Sequence, residues 1–284
     1  MPPPTVSSPS PPSREIRTVL ITGAAGYLGS ALRVGLRNRF RLRLTDRVAL
    51  PTSLDPAEEF HLAELENPAA WDPLMRGVDA VVHLGACLQE AGPWEAILSA
   101  NIAGTYNVFE SARRCGVPRV VYASSHHVTG FHRRGRRIGV DAPLRPDSRY
   151  GVAKVFGEAL GRLYADKHGM SVVCQRIGVA RPRPPHRRSL SNWLSERDYV
   201  ELTRCCLVAP NLHFHVVYGV SGGSEGFYDP APAEAIGFVP QDNADPYRAE
   251  VLAKNPDPEP TVEGLFQGGH FCALEFDGDV DRID

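Results

Sequence analysis

Thr22-Gly23-Ala24-Ala25-Gly26-Tyr27-Leu28-Gly29 follows the apolar run Thr18-Val19-Leu20-Ile21 and opens an amphipathic stretch, Tyr27 to Leu36. The order predicts a strand, a glycine turn and a helix, the context that a dinucleotide fingerprint requires. Gly23 permits the tight turn, Gly26 lets the backbone approach a pyrophosphate, and Gly29 allows close packing of helix on strand. The helix then starts at Tyr27 and Leu28, where unpaired N–H groups and the positive dipole end face the phosphates. A glycine-rich turn between strand and helix is common, so the weight of this reading rests on what surrounds it.

Outward from the turn, apolar runs alternate with helical patterns up to about residue 180. The strand candidates are Thr18–Thr22, Leu42–Asp46, Phe60–Leu62, Ala80–Leu84, Arg119–Ala123 and Ser171–Arg176. Helical spacing falls between them at Tyr27–Arg37, Pro68–Met75, Trp94–Cys115 and Ser148–Lys167. Repeated βα units of this length predict a doubly wound parallel α/β sheet covered on both faces. Residues 15–176 read as the dinucleotide-binding domain. From 177 to 284 the pattern weakens into Pro/Gly-rich connections, a helix near Glu196–Leu207 and a strand near Phe214–Tyr218, and reads as a smaller substrate-side lobe. Residues 1–14, rich in Pro and Ser without an apolar core, read as a disordered extension and not a signal peptide.

Composition narrows the class. The 284 residues are 43% hydrophobic and 23% charged, values that exclude a fibrous or disordered chain. A net charge of −2 gives no electrostatic case for nucleic acid or membrane as a partner. No apolar run approaches the ~20 residues of a membrane span. Six cysteines without Cys-x-x-Cys spacing are most simply reduced thiols of a cytoplasmic protein. A small-molecule substrate and a homo-oligomer are expected.

Asp46 ends the second strand candidate, 23 residues after Gly23. A carboxylate there accepts hydrogen bonds from the adenosine ribose and repels a 2′-phosphate, which favours NAD over NADP despite Arg47 beside it. Glu64 and Leu65 follow the third strand, where the adenine should lie. Leu84-Gly85-Ala86 closes the fourth, where small residues admit the cofactor backbone closely. Further on, Tyr150-Gly-Val-Ala-Lys154 sets a phenol and an ammonium one helical turn apart. A phenol ionises near pH ~10, and a cation beside it should bring that down toward the working range. Ser125, at the end of Tyr122-Ala-Ser-Ser125, can hydrogen-bond the same substrate oxygen. Ser125, Tyr150 and Lys154 are therefore the candidate catalytic residues.

Together these motifs resemble the extended short-chain dehydrogenase/reductase superfamily. His83-Leu-Gly85, Asn101-Ile-Ala-Gly104, Ser124-Ser-His-His127, Arg149 to Glu158, Arg176-Ile-Gly178, Ser191-Asn-Trp193 and Phe266-Gln-Gly-Gly269 narrow the resemblance to uronate dehydrogenase, from Arg17 to about Phe271. That family oxidises the anomeric carbon of glucuronate or galacturonate to an aldarolactone with NAD. The resemblance implies that Lys154 also holds the nicotinamide ribose and that Ile177 belongs to the cofactor site. It implies substrate contacts at Ser125, His127 and Arg188, with Arg188 taking the uronate carboxylate. Three further substrate positions depart from the family: Leu88 and Val179 replace serines, and His126 replaces an asparagine.

The departures keep a second reading open, a biosynthetic ketoreductase on a less polar cyclic substrate such as a nucleoside or natural-product ketone. An epimerase or dehydratase would need a larger nucleotide-binding lobe, and a non-catalytic NAD sensor would not need Ser125, Tyr150 and Lys154 together. Of two basic runs, Phe131-His-Arg-Arg-Gly-Arg-Arg137 reads as a surface loop, and Arg181 to Arg188, a loop beside the pocket, reads equally as a solvated Pro/Arg loop or as a cationic lure for an anionic substrate. His213-x-His215 lacks a third ligand nearby, so no metal is expected.

Overall fold

The computed structural model describes residues 15–88, 92–254 and 261–283, so the expected extension at 1–14 lies outside the described residues. Its strands are β1 (Thr18–Thr22), β2 (Arg41–Asp46), β3 (Glu58–Leu62), β4 (Ala80–His83), β5 (Arg119–Ser125), β6 (Ser171–Ile177), the two-residue β7 (Val179–Ala180) and β8 (Trp193–Leu194), and β9 (Phe214–Gly219). Seven of them form one parallel sheet in the order β3-β2-β1-β4-β5-β6-β9, while β7 and β8 pair apart. The chain leaves β1 for β2 on one side and returns to β4 on the other, so a crevice opens beyond the carboxyl ends of β1 and β4.

Alternate residues of the strands feed two cores. Val19, Ile21, Val82 and Val121 face α1 (Tyr27–Leu36) and a later helix, Glu196–Val208, through Leu32, Leu36, Tyr199 and Leu202. Leu20, Val81, Val120 and Val172 face the other layer. There they meet α2 (Trp71–Met75), α4 (Thr105–Arg114) and α5 (Arg149–His168) through Trp71, Phe109, Leu160 and Tyr164. Burial on both faces explains why the central strands are unbroken apolar runs. The short α3 (Trp94–Ile97) continues into α4 through a π-helical segment, Leu98–Gly104. The helical spacing from 94 to 115 thus holds, but its middle is wound wider, as often happens beside functional sites.

The helix at Glu196–Val208 is α6, and with β9 it completes the main sheet and its helical layer. Both lie beyond the boundary expected at residue 176, so the chain after that point contributes to both parts of the molecule. The remainder gathers over the loop 126–147. Arg133 bridges to Phe266 and Ile138 to Tyr228, while Gly268 N–H donates to Gly130 O at 2.8 Å. No described helix is long and apolar enough to cross a membrane.

Candidate active site

The glycine turn is fixed by its neighbours. Gly23 has φ +69°, and a Cβ there would lie 2.9 Å from Gly85 N. A Cβ on Gly29 would collide with Gly23 O, so helix and loop touch backbone to backbone. Thr22 Oγ1 accepts the N–H groups of Leu84 (3.1 Å) and Gly85 (3.0 Å) and so gives its own proton to His83 Nδ1 at 2.7 Å. His83 consequently carries its proton on Nε2, toward Thr105 Oγ1 at 3.3 Å. Burial, with Lys154 nearby, pushes this imidazole down to about 3, so it stays neutral.

A cleft of about 550 Å³ opens beside this loop. Its walls include Gly23, Gly26, Asp46, Leu65, Leu84, Gly85, Ala86 and Leu88, all expected from the sequence, together with Arg47, Glu66 and Cys87. Asp46 accepts Ala25 N–H at 2.9 Å and Val48 N–H at 3.2 Å, which aims its carboxylate along the rim. Tyr27, Leu28 and Gly29 stand at the start of α1, outside the lining. Glu64 is left out of the lining and Glu66, equally exposed, stands in the wall instead, where the chain turns after β3 with Asn67 N–H donating to Glu64 O. Ile177 lies across from Ser125 in the β5–β6 register, away from the cleft lining. Asn101, from the wide turn of the π segment, clamps the cleft wall: Cys87 N–H donates to its Oδ1 (2.6 Å) and its Nδ2 to Cys87 O (2.9 Å). A narrow glycine loop, an acidic rim and an apolar floor fit a dinucleotide.

The catalytic candidates meet where α5 starts over the end of β5. Ser148 caps the helix by accepting Gly151 N–H at 3.0 Å. Gly151 packs on His127 O and Gly157 on the Tyr122 ring, where any Cβ would clash, so α5 lies directly on β5. A buried ion pair secures this arrangement. Arg176 of β6 holds Glu158 of α5 by two 2.9 Å hydrogen bonds, and Ser124 donates to the same carboxylate at 2.6 Å. Lys154 Nζ donates to Ala123 O at 2.8 Å and lies 5.4 Å from the Tyr150 ring centre. The electrostatics correct one expectation. Burial pushes the Tyr150 hydroxyl above its ordinary value, with a Ser125 hydrogen bond pulling the other way, and pushes Lys154 down to about 7. Burial outweighs the attraction that was expected to lower the phenol. Both groups are driven toward their neutral forms, and moving one proton from Tyr150 to Lys154 changes no net charge in the site.

Beside them His126 and His127 are buried, 4.0 Å apart between rings. His127 stacks on Phe271 at 3.6 Å and its Nδ1 meets Asp147 Oδ2 at 2.6 Å. Burial drives His127 down and Asp147 up to about 7, so the two hold one proton between them. Gly130 and Gly268 wall Asp147 so closely that neither position has room for a side chain. Arg188 crosses Gly269 and donates to Gln267 O at 3.1 Å, and no carboxylate pairs with it among the described residues. Its charge is felt by His126, His127 and Tyr228. The buried Asn192 amide and the Tyr228 hydroxyl lie against each other, while His126 Nδ1 is buried and finds no hydrogen-bond partner among the described residues. Buried polar groups are rarely left so. The arrangement can hold an anionic, hydroxylated ligand. Asp147, Asn192 and Tyr228 were missed in the sequence. Only Asn192, inside Ser191-Asn-Trp193, carried a signal there. Val179 is half-buried and donates its N–H to Asn192 O at 2.8 Å.

Comparison with known proteins agrees with this geometry. The model of the NAD dependent epimerase/dehydratase family matches residues 19–181. The chain belongs to that family. As a member of it, of the extended short-chain dehydrogenase/reductase type, the protein is an NAD-dependent dehydrogenase that moves a hydride between NAD and a hydroxyl-bearing carbon of a sugar-like substrate. Uronate dehydrogenase of Pseudomonas syringae pv. tomato is 39% identical over 256 residues, 90% of this chain and 93% of that protein. NAD-dependent glucose-6-phosphate dehydrogenase of Haloferax volcanii is 36% identical over 248 residues, 80% and 94% of the two chains. Uronate dehydrogenase from Agrobacterium tumefaciens, solved as a mutant complexed with NAD, superposes with a TM-score of 0.86 at 39% identity, covering 91% and 98%. In this dehydrogenase His213 faces Asp166 at 2.7 Å and His215 the Pro232 carbonyl at 2.9 Å. All six cysteines are unpaired.

Proposed function

We propose that this chain oxidises the anomeric carbon of a hexuronate, glucuronate or galacturonate, to the aldarolactone. The observation that carries the reading is Arg188, a half-buried guanidinium without a carboxylate partner among the described residues, beside the buried and unpartnered Nδ1 of His126 and the polar pair Asn192 and Tyr228. A uronate supplies what that cluster lacks, a carboxylate for the fork of Arg188 and hydroxyls for the rest. The uronate dehydrogenase relatives by name act on such substrates, which supports the assignment.

NAD, bound along the 550 Å³ cleft, supplies the hydride acceptor. Ser125 orients the C1 hydroxyl, Tyr150 takes its proton at the phenol oxygen, and Lys154 holds the proton that Tyr150 must first give up. His127, fixed by Asp147 and Phe271, lines the sugar. The segments 126–147, 178–195, 220–254 and 261–283 make up the substrate-side lobe. Free cysteines suit a cytoplasmic setting. Tyr106, Val152 and Leu163, each 48% exposed on α4 and α5, offer an apolar face for a homo-oligomer, which size-exclusion chromatography would reveal.

Leu88 and Val179 remove two hydroxyl contacts, each worth about 1 kcal/mol net, so uronate recognition should be about tenfold to thirtyfold weaker than in a serine-bearing site. NADH formation from glucuronate and galacturonate tests this, with Leu88→Ser/Val179→Ser expected to raise it. Wild type inert on both, with the double variant no better, sinks the uronate reading. The ketoreductase reading, favoured by the apolar Leu88 and Val179, would then lead.

A further inference from the structure

The two basic runs that the sequence presents as separate surface loops converge. Arg134, Arg136 and Arg137 from the first, with Arg187 and Arg188 from the second, line one cleft of about 500 Å³. Its acidic wall residue, Glu225, is already paired with Arg248 at 2.7 Å. Several of the arginines are anchored by backbone oxygens, which fix a guanidinium without neutralising it. Arg134 donates to Phe266 O (3.1 Å) and Glu263 O (2.7 Å), Arg137 to Tyr228 O (3.2 Å), and Arg188 to Gln267 O (3.1 Å). These oxygens belong to the same tail segments that roof the substrate site.

We propose that this cleft is a second anion subsite, built to hold a phosphate or carboxylate group of a small-molecule ligand. Arg134, Arg137 and Arg188, which share this concave surface and have no carboxylate ion-paired to them among the described residues, present forked donors to such groups. The cost of the arrangement without an anion shows in the side chains themselves. Burial and the neighbouring Arg188 push Arg134 down to about 10, and burial lowers Arg188 as well. Glu263 and Asp147 pull Arg188 back only through space, neither pairing with it. Arg188 stands in the wall between this cleft and the pair His126 and His127, so an anion held here lies next to the substrate. The subsite therefore suits a second anionic group on the substrate, one the single carboxylate of a uronate does not fill.

Titration calorimetry of the NAD-saturated protein with inorganic phosphate at fixed ionic strength tests the subsite, because NAD fills the glycine loop where phosphate could otherwise sit. Saturable binding is expected, weakened about tenfold or more by Arg136→Glu/Arg137→Glu, two exposed positions where folding is not at stake. A control of equal charge, Arg162→Glu/Lys167→Glu on α5, should weaken it less than about threefold. Absence of saturable binding, an equal loss in the control, or no loss in the cleft variant (phosphate then sits on Arg188 in the substrate site) would each overturn the proposal. A second arm compares galacturonate with digalacturonate, which adds a carboxylate and keeps a free reducing end. Tighter binding of digalacturonate, erased in the cleft variant, assigns the subsite to the substrate. Phosphate binding without that gain assigns it to a separate small anion. The second arm rests on the uronate reading, whose own failure would show as no uronate turnover while leaving the phosphate titration intact.

Discussion

Asn101→Ala isolates the clamp that connects the π-helical segment to the cofactor cleft. Asn101 is 1% exposed and meets both backbone groups of Cys87, at 2.6 and 2.9 Å. Its removal leaves one donor and one acceptor without partners. Cys87 is only half-buried, so water recovers part of the loss, and each group should cost about 1 kcal/mol, at the low end of the usual range. The total of about 2 kcal/mol can appear in two places. If residues 84–88 stay ordered in the free protein, the urea midpoint falls. If they loosen, NAD must reorder them, and its affinity drops by up to about thirtyfold. Calorimetric titration with NAD and urea unfolding of the same variant measure both shares. A summed effect below about 0.5 kcal/mol would show that Asn101 is incidental and that other contacts hold the wall.

Three further outcomes follow from the site. Tyr150→Phe should lower turnover about a hundredfold or more while NAD still binds, and near-normal turnover would remove the phenol from the chemistry. NAD should bind more than about tenfold tighter than NADP because Asp46 repels a 2′-phosphate; equal affinities would mean that Arg47 dominates the rim. Lys154 titrates near 7 in the fold against an ordinary 10.5, so the unfolded chain binds the extra proton between those values and stability should rise from about pH 7 to pH 9. Lys154→Met should flatten that rise, worth on the order of a few kcal/mol, and parallel wild-type and variant profiles would show that the lysine keeps its proton at neutral pH.

What could be read in advance followed the range of the physics involved. β1 runs over the residues expected from its apolar pattern, and β2, β4, β5 and β6 within one or two; β1, β4, β5 and β6 are buried on both faces, so polarity alone marks them, whereas β2 alternates buried Leu42 and Leu44 with the more exposed Arg41 and Arg43. Tyr150 and Lys154 were legible because four residues make one helical turn. Asp147 was not: its partner His127 lies 20 residues away, and the glycines that make room for it are Gly130 and Gly268. The convergence of the basic runs near 134 and 188 also depends on tail segments with no periodic pattern of their own. The direction of the Tyr150 shift was misjudged because adjacency of charges is written in a sequence, whereas desolvation depends on everything packed around them.

The pairing of loop 126–147 with the last stretch of chain has a consequence for how the enzyme matures during synthesis. A nascent chain ended after Gly219 already holds all seven strands of the main sheet and the glycine turn. It still lacks Phe271, Gly268 and the Gln267 carbonyl that seat His127, Asp147 and Arg188. A chain cut there would keep the lining of the cofactor cleft and lose the seat of the candidate substrate residues, so cofactor binding and turnover should part company in truncated chains.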